Sequence, residues 1–349
     1  MTATAEPQLL AADTRVETSG GMALGLVLAA VAMMAFLSPK GPGNSAPVDL
    51  VMALAIGAVV LWAGVSGATL HLPYAVPMAG LLTVGATAAL FSPAPKLGGI
   101  AVMQEIFLLA FCAAVTSLCR TPDALRAVLR TWCLAATAWA SALVVAVLVG
   151  LPALAGVSRA GGGRARQMFD HPNMAGNYFM ISVFVVLATR YPSSRRARGA
   201  AIAVLVAAMV LSGSNAASLS LLLGGLVVVF LTLRWRVSTA AAGTVVVLLL
   251  LVGGGTWAVV SGPAMTIVQE SENPYIKYSV GRASRSAESR QSLFSDQYRL
   301  FEKGGLIGLG PAGTRRTLEQ EPASAAKESH NDYLATLVER GPFGAVALL

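Results

Sequence analysis

Residues 239–260 read TAAAGTVVVLLLLVGGGTWAVV, and the chain then changes abruptly to SGPAMTIVQESENPYIKYSVGRASRSAESRQ over 261–291. The first part has no charged residue and is long enough to cross a bilayer as a helix. The second part opens a polar stretch of about 261–333 that holds much of the charge of the chain. This contrast predicts a membrane scaffold that holds one large polar loop.

The composition of the whole chain agrees with a membrane protein. Of its 349 residues, 55% are hydrophobic and 12% are charged, whereas a soluble domain carries roughly 25% charged residues. The mean hydropathy is +0.67. The net charge is +8, but the basic residues form short clusters between apolar runs, which is the topology signal of membrane proteins. We therefore expect a lipid bilayer and no nucleic acid as a partner.

Apolar runs predict an all-α fold, a polytopic transmembrane helical bundle with one large extracytoplasmic loop that contains short helices. Nine spans are expected, at about 21–38, 49–70, 73–92, 99–118, 131–151, 173–190, 199–213, 216–233 and 239–260. A tenth begins near Leu334. Thr121-Pro122-Asp123 is typical of a helix start, so residues 121–130 are predicted to form a separate short helix on the membrane surface.

Three regions follow from this pattern. Residues 1–20 are polar and lack the basic region and cleavage site of a signal peptide, so we expect a disordered cytoplasmic tail. Residues 21–152 hold five spans. Residues 153–349 hold the remaining spans and the large loop, and the chain ends inside the predicted tenth span, so a truncated protein is expected.

Arginine and lysine predict the orientation of a multi-pass protein of the cytoplasmic membrane. The even-numbered loops carry most of the arginines that lie in short loops, which places the N-terminus in the cytoplasm. The fifth loop (about 152–172) and the ninth (about 261–333) then lie outside. Both carry several arginines against this trend, and long loops cross the membrane largely regardless of charge. Arginines there are candidates for function.

The segment GGGRARQMFDHPNMAGN, residues 161–177, is the first candidate site. Arg164 and Arg166 follow three glycines, and guanidinium groups bind phosphate oxygens through paired hydrogen bonds. Asp170 or Asn173 is predicted to cap the sixth span, whose N-terminus would add positive potential. The alternative is a flexible loop followed by an ordinary capped helix.

The large loop and a short break supply the other candidates. Residues 211–218 form a polar break of small residues, either a site of close helix approach or a tight turn. Residues 290–301 have apolar side chains at helical spacing, so we expect a helix on the membrane face, followed by a glycine turn at 304–311.

His330 stands at the entry to the tenth span. A histidine with a pKa near the operating pH can accept a proton from a hydroxyl, although a lone histidine at an interface often only caps a helix.

Glu105 is the one charge identified within the first nine spans. A carboxylate inside a membrane is by default a functional candidate, but helix packing or an interfacial role is favoured here. The sequence has no clear metal-ligand set, so neither metal nor cofactor is expected.

From Gln167 to Leu349 the chain resembles the O-antigen ligase and polymerase family of bacterial cell-surface polysaccharide assembly. The resemblance is carried by the motifs FDHPNMAG (169–176), LSGS (211–214), Ser289-Arg290 with the glycines of 304–310, and HNDYL (330–334) with Leu337, Glu339, Arg340 and Gly341. It implies metal-independent, inverting glycosyl transfer from an undecaprenyl-diphosphate-linked glycan on the outer face of the membrane.

The same resemblance implies roles for individual residues. Arg290 would bind diphosphate, and His330 would act as base toward the acceptor hydroxyl or orient it. Arg164, Arg166, His171, Asn173 and Asn331 are the further candidates for binding diphosphate or glycan. Other polysaccharide assembly proteins are candidate partners.

One position departs from the family pattern. Family members often carry an arginine directly after the Ser-Gly-Ser segment, where this chain has Asn215. Either Arg164 or Arg166 replaces that arginine, or the activity is altered or lost. The alternative function is a transporter or flippase for a lipid-linked or anionic substrate. It predicts paired intramembrane charges and an internal repeat, and neither is evident from the sequence.

Overall fold

The structure is a computed structural model, and it describes residues 20–38, 41, 45–158, 164–270, 285–320 and 332–348. The predicted tail falls almost entirely outside the described residues. The helices are α1 Gly20–Ala32, α2 Pro47–Ser66, α3 Ala75–Leu90, α4 Pro95–Leu118, α5 Pro122–Val149, α6 Pro152–Ala155, α7 Pro172–Thr189, α8 Arg195–Leu211, α9 Asn215–Arg236, α10 Thr239–Glu270, α11 Arg285–Gly304, α12 Gly313–Glu319 and α13 Asp332–Leu348. Two strands of two residues each, β1 Val157–Ser158 and β2 Arg164–Ala165, pair in antiparallel fashion.

The predicted fold class is confirmed: the protein is an all-α polytopic membrane protein. Five helices, α2, α4, α5, α7 and α9, are long and apolar enough to cross a membrane. The apolar parts of α1, α3 and α10 are shorter. Proline at the first position of α2, α4, α5 and α7 starts these helices, because its fixed φ suits that position and its missing N–H is not needed there.

The first predicted span extends further than the helix observed there. The first span was expected to reach residue 38, but α1 ends at Ala32. The indole N–H of Trp139 donates to the Ala32 carbonyl at 2.9 Å, and the ring of Phe36 meets the Trp139 ring edge-on at 5.0 Å. The side chain of Trp139 thus satisfies a carbonyl that the helix would otherwise use to continue.

The separate surface helix predicted for 121–130 is wrong. Thr121 does cap a helix, since its Oγ1 accepts from the Ala124 N–H at 3.2 Å. That helix is α5, which continues without a break to Val149. Nothing between the amphipathic turns and the apolar run stops the helix, because the sequence has neither Pro nor Gly there.

The start of the large loop is also different from the prediction. Ser261, Gly262 and Pro263 were expected to open the loop, but they lie inside α10, which continues to Glu270. The predicted helix within the loop is confirmed as α11, although its position on the membrane face is not tested. The glycine turn after it is confirmed, with positive φ angles at Gly305, Gly308 and Gly310.

The chain forms two compact units, each discontinuous in sequence. The first unit contains the described residues of Met1–Val27, Leu50–Leu125 and Arg285–Leu349, and the second contains those of Leu28–Asp49 and Arg126–Ser284. In the first unit, α13 packs against α3 and α11, and α3 packs against α4. In the second unit, α7 packs against α8 and α9, and α9 packs against α10.

Each unit has its own apolar core. The core of the second unit gathers side chains of α5, α7 and α8 together with Phe169, which is 1% exposed. The Phe169 ring lies 5.3 Å from the Tyr178 ring and 6.3 Å from the Phe179 ring. A smaller cluster in the first unit joins Leu300, Leu318 and Val338. Phe169 therefore anchors the loop before α7, and Leu300 and Leu318 anchor the helices of the large loop.

Candidate functional site

The loop before α7 is held against α6 by a backbone hydrogen bond and against α5 by a side-chain hydrogen bond. The Gln167 N–H donates to the Ala155 carbonyl at 2.7 Å, and the Gln167 side-chain amide donates to the Trp139 carbonyl at 2.9 Å. These bonds, with Phe169 in the core, fix the strand β2 that carries Arg164. A segment predicted from its glycines to be flexible thus ends in a fixed hairpin strand.

The cap of α7 is neither Asp170 nor Asn173. His171 is the N-cap, and its Nδ1 accepts from the Asn173 N–H at 3.1 Å. Pro172 takes the first helical position, so the residue before it is forced out of the helical region and becomes the cap. Asn173 lies inside the first turn, where its side chain is available for another partner. A role of His171 in binding substrate stays a prediction.

Arg164 joins three elements of the second unit. It is 8% exposed, and its Nη1 donates to Asn173 Oδ1 and to the Gly213 carbonyl, both at 3.1 Å. One contact reaches the first turn of α7, and the other reaches the turn between α8 and α9. The guanidinium group therefore lies where two helices begin.

The turn between α8 and α9 approaches α7 closely because residue 176 is a glycine. A Cβ atom at Gly176 would lie 2.5 Å from Ser214 Cβ and 2.7 Å from Ser212 Oγ, so a larger residue would push the turn away. Ser214 caps α9 by accepting from the Ala217 N–H at 3.3 Å. Asn215 is the first residue of α9 and is exposed. The polar break is thus both a tight turn and a close helix contact.

The surroundings of Arg164 favour an anion. The N-termini of α7 and α9 each carry a partial positive charge, and free backbone N–H groups at helix N-termini bind phosphates in many proteins. A guanidinium group adds a full positive charge and a fork of donors. The Gly213 contact also holds the turn between α8 and α9, so a purely structural role for Arg164 is the alternative that an experiment must separate.

Arg166 is used differently from Arg164. Its Nη1 donates to the carbonyls of Phe169 and Asp170 at 3.2 and 2.7 Å, and it lies 3.7 Å from the Asp170 carboxylate. The Asp170 side chain is 56% exposed, so this ion pair is weak. The contacts of Arg166 hold the turn before α7, and they make Arg164 the better candidate for an anion.

The other predicted site residues lie in or beside the large loop. Arg290 is on α11, but its side chain is outside the described part. His330 and Asn331 are outside the described residues. The roles predicted for these three residues stay predictions. Among the described residues, no group of three or more His, Cys, Asp or Glu side chains is arranged to hold a metal ion.

Sequence reasoning missed one constellation. Arg340, which is 6% exposed, forms an ion pair with Glu105 of α4 and also donates to the Leu81 carbonyl at 3.2 Å. Paired charges, which were not evident from the sequence, are therefore present, with Glu105 on the membrane-length helix α4. The sequence held a signal for this pair, because Arg340 is a basic residue inside the tenth apolar run. Arg340 was named above only as part of the motif that begins with HNDYL.

Residues 200–349 match the family model described as O-antigen ligase. No curated protein and no solved structure shows significant similarity to the chain. The match confirms the resemblance to the O-antigen ligase and polymerase family for that part of the chain. It supports a membrane protein with a role in surface polysaccharide assembly and, in general terms, a glycosyl-transferring enzyme.

Proposed function

With an O-antigen ligase domain at residues 200–349 as the premise, we propose that this protein transfers glycan units from undecaprenyl diphosphate to an acceptor during surface polysaccharide assembly. The reaction is either polymerisation or ligation. We place it on the outer face of the cytoplasmic membrane, with the N-terminus in the cytoplasm. Residues 153–349 would form the transfer region, and the spans of 21–152 the scaffold.

The observation that carries the proposal is the position of Arg164. Its guanidinium group contacts Gly213, two residues before Asn215, the position at which family members often carry an arginine. The positive charge of Arg164, which lies on β2, thus takes the place of the positive charge that an arginine at the start of α9 would supply. This arrangement favours the interpretation that Arg164 replaces the missing arginine.

The chemistry suits an arginine at this place. Breaking the bond between the sugar and the carrier leaves negative charge on the diphosphate, and donors that are already in position stabilise that charge. Arginine keeps its proton throughout and binds two oxygens at once. In the proposal Arg164 and Arg290 hold the diphosphate, His330 accepts the proton of the acceptor hydroxyl, and no metal is required.

The test moves the charge from residue 164 to residue 215. The full chain is purified in lipid nanodiscs and supplied with an undecaprenyl-diphosphate-linked oligosaccharide, and new glycosidic product is measured. We expect Arg164→Gln to lower transfer about 100-fold, the effect of losing one donor to a developing charge. Adding Asn215→Arg in the same chain should restore a large part of that loss.

The controls separate charge from folding. Arg166→Gln removes a neighbouring arginine and should lower transfer much less than Arg164→Gln. Full transfer by the folded Arg164→Gln protein would contradict the role of Arg164. Full transfer by His330→Ala and Arg290→Ala chains present at normal levels would remove the roles assigned to those residues.

A transporter or flippase for a lipid-linked glycan is the second candidate, and the Glu105–Arg340 ion pair is the observation that favours it. The nanodisc assay separates the two functions. A new glycosidic bond formed by the purified chain supports transfer. Movement of the lipid-linked glycan between leaflets without new product would support transport.

A further inference from the structure

We propose that the Glu105–Arg340 ion pair is a positioning device that fixes α13, the helix that begins two residues after His330 in the sequence. The inference deepens the proposed transfer function and rests on it. Glu105 and Arg340 act through α13 in this role, and neither residue is assigned a contact with substrate.

The ion pair joins three helices of the first unit at mid-length. Glu105 lies in α4, Arg340 in α13 and the acceptor carbonyl of Leu81 in α3. Gly85 of α3 leaves room for the guanidinium group, because a Cβ atom there would lie 3.3 Å from Arg340 Cζ. Charges inside a membrane are costly unless they are paired. The pairing therefore fixes Arg340 beside Glu105, and this leaves α13 few other orientations in which it can pack against its neighbours.

The residues around Arg340 bind the segment that follows α11. Gly341 has φ 63° and ψ −172°, which interrupts α13, and Pro342 has no N–H to offer the Val338 carbonyl four residues before it. The N–H groups of Leu309 and Gly310 take over, donating to the carbonyls of Val338 and Glu339 at 2.9 and 2.8 Å. The interruption of the helix is thus the point at which the large loop is attached.

The first half of α13 lies between Arg340 and Asp332, the first residue of the helix. Arg340 lies eight residues after Asp332, or about 12 Å along a helix, and His330 precedes Asp332 by two residues in the sequence. A rotation of α13 about its docking point would therefore displace its first turn. A displacement of about 1 Å costs an enzyme roughly 100-fold in rate, so the docking of α13 is expected to matter for chemistry.

The pair is not arranged for stability alone. Glu105 Oε2 is buried and has no hydrogen-bond partner, and a buried polar atom without a partner is costly. Buried ion pairs are often replaced by apolar residues of similar volume without loss of stability. What an apolar pair cannot supply is a directional contact that selects one rotation of the helix.

The experiment replaces the pair and then restores the position by other means. Glu105→Leu with Arg340→Met removes both charges and keeps the volume. We expect this variant to fold, with the KM for the lipid-linked oligosaccharide within about twofold and kcat lowered about tenfold or more. The control Arg316→Met with Glu319→Leu removes an exposed ion pair of the same unit, at 3.4 Å, and should leave both constants unchanged.

A covalent tether then tests position directly. A Cβ atom at Gly80 would lie 3.4 Å from Ala347 Cβ, close to the spacing that a disulfide requires. Gly80→Cys with Ala347→Cys is added to the apolar pair. Oxidation should restore most of the lost kcat, and reduction should remove it again.

Two results would overturn the proposal: an unchanged kcat in the folded apolar pair, or a lowered kcat that the oxidised tether does not recover. Failure of the transfer function is distinguishable, because then the unaltered chain and the Arg316/Glu319 control also form no product. In that case the rate of disulfide formation between residues 80 and 347, with and without the ion pair, still reports whether α13 is held in place.

Discussion

Arg164 and Arg340 are both buried arginines, with 8% and 6% of their surface exposed, but their surroundings differ. Arg340 lies within a helix and meets a carboxylate of another helix. Arg164 lies on a short strand and donates to an amide oxygen and a backbone carbonyl at the ends of helices. The carboxylate ties Arg340 to one other side chain, whereas the contacts with Asn173 and Gly213 fix Arg164 at the ends of helices.

The difference teaches how one side chain serves two purposes in the same protein. The charge of Arg340 is matched inside the first unit, so its effect is on the position of α13. The contacts of Arg164 with Asn173 and Gly213 place its guanidinium group beside helix N-termini, where an anion is favoured. Four predictions test this contrast, from the largest expected effect to the smallest.

Removing the carboxylate that pairs with Arg340 should cause the largest loss of stability. Glu105→Gln leaves the Arg340 guanidinium buried without its counter-charge, which typically costs about 3–5 kcal/mol. Asn173→Ala, which removes a neutral acceptor from Arg164, should cost only about 1 kcal/mol. Thermal unfolding of both variants in detergent measures the difference. Equal losses of stability would break the contrast between the two arginines.

Replacing each arginine by lysine should affect different properties. Lysine keeps the charge but loses the fork of donors. Arg164→Lys is expected to lower glycan transfer about tenfold, as for one lost charge-assisted hydrogen bond, with little change in the unfolding temperature. Arg340→Lys is expected to lower the unfolding temperature as well. An Arg164→Lys chain that transfers glycan normally would count against the anion site.

The close contact between α7 and the turn that follows α8 depends on the absence of a side chain at residue 176. Gly176→Ala places a methyl group against Ser214 and should destabilise the protein by about 1–3 kcal/mol. Gly199→Ala is the matched control, because a Cβ atom there meets nothing within 4 Å; it should stabilise α8 by roughly 0.5–1 kcal/mol. Similar unfolding temperatures for the two variants would show that the turn moves freely.

The smallest effect has the opposite sign. Gln297 of α11 is 2% exposed, and neither atom of its amide has a hydrogen-bond partner. Gln297→Met should therefore raise the stability by about 1 kcal/mol, whereas Gln320→Met at an exposed position should change it little. A loss of stability on replacing Gln297 would contradict this prediction, because it would mean that the Gln297 amide has a partner in the first unit, as Arg340 has.

The sequence predicted the fold class and most helices, because the length of an apolar run is a local property. It also located the Ser-Gly-Ser turn, the glycine turn after α11 and Thr121 as a cap. It failed where the boundary depends on a distant contact. Trp139 ends α1 from more than a hundred residues away. Ser261, Gly262 and Pro263 were expected to open the large loop, but they continue α10.

The candidate site was predicted in its residue types but not in its arrangement. Arg164 and Asn173 were identified from the sequence, yet their contact, and the contact of Arg164 with Gly213, arise from the packing of β2 against α7 and the turn. Asp170 or Asn173 was expected to cap α7, and His171 is found to cap it. Helix capping depends on the conformation before Pro172, which side-chain type alone does not specify.

The sequence by itself determined that this chain is a polytopic helical protein, because hydropathy and helix breakers act over a few residues. Only the tertiary structure decided which charges meet. Glu105 and Arg340 are 235 residues apart, and Arg164 and Gly213 are 49 apart. No local pattern records these pairs, since each depends on which helices pack side by side. Arg340 is thereby placed to hold α13, and Arg164 is placed at the starts of α7 and α9.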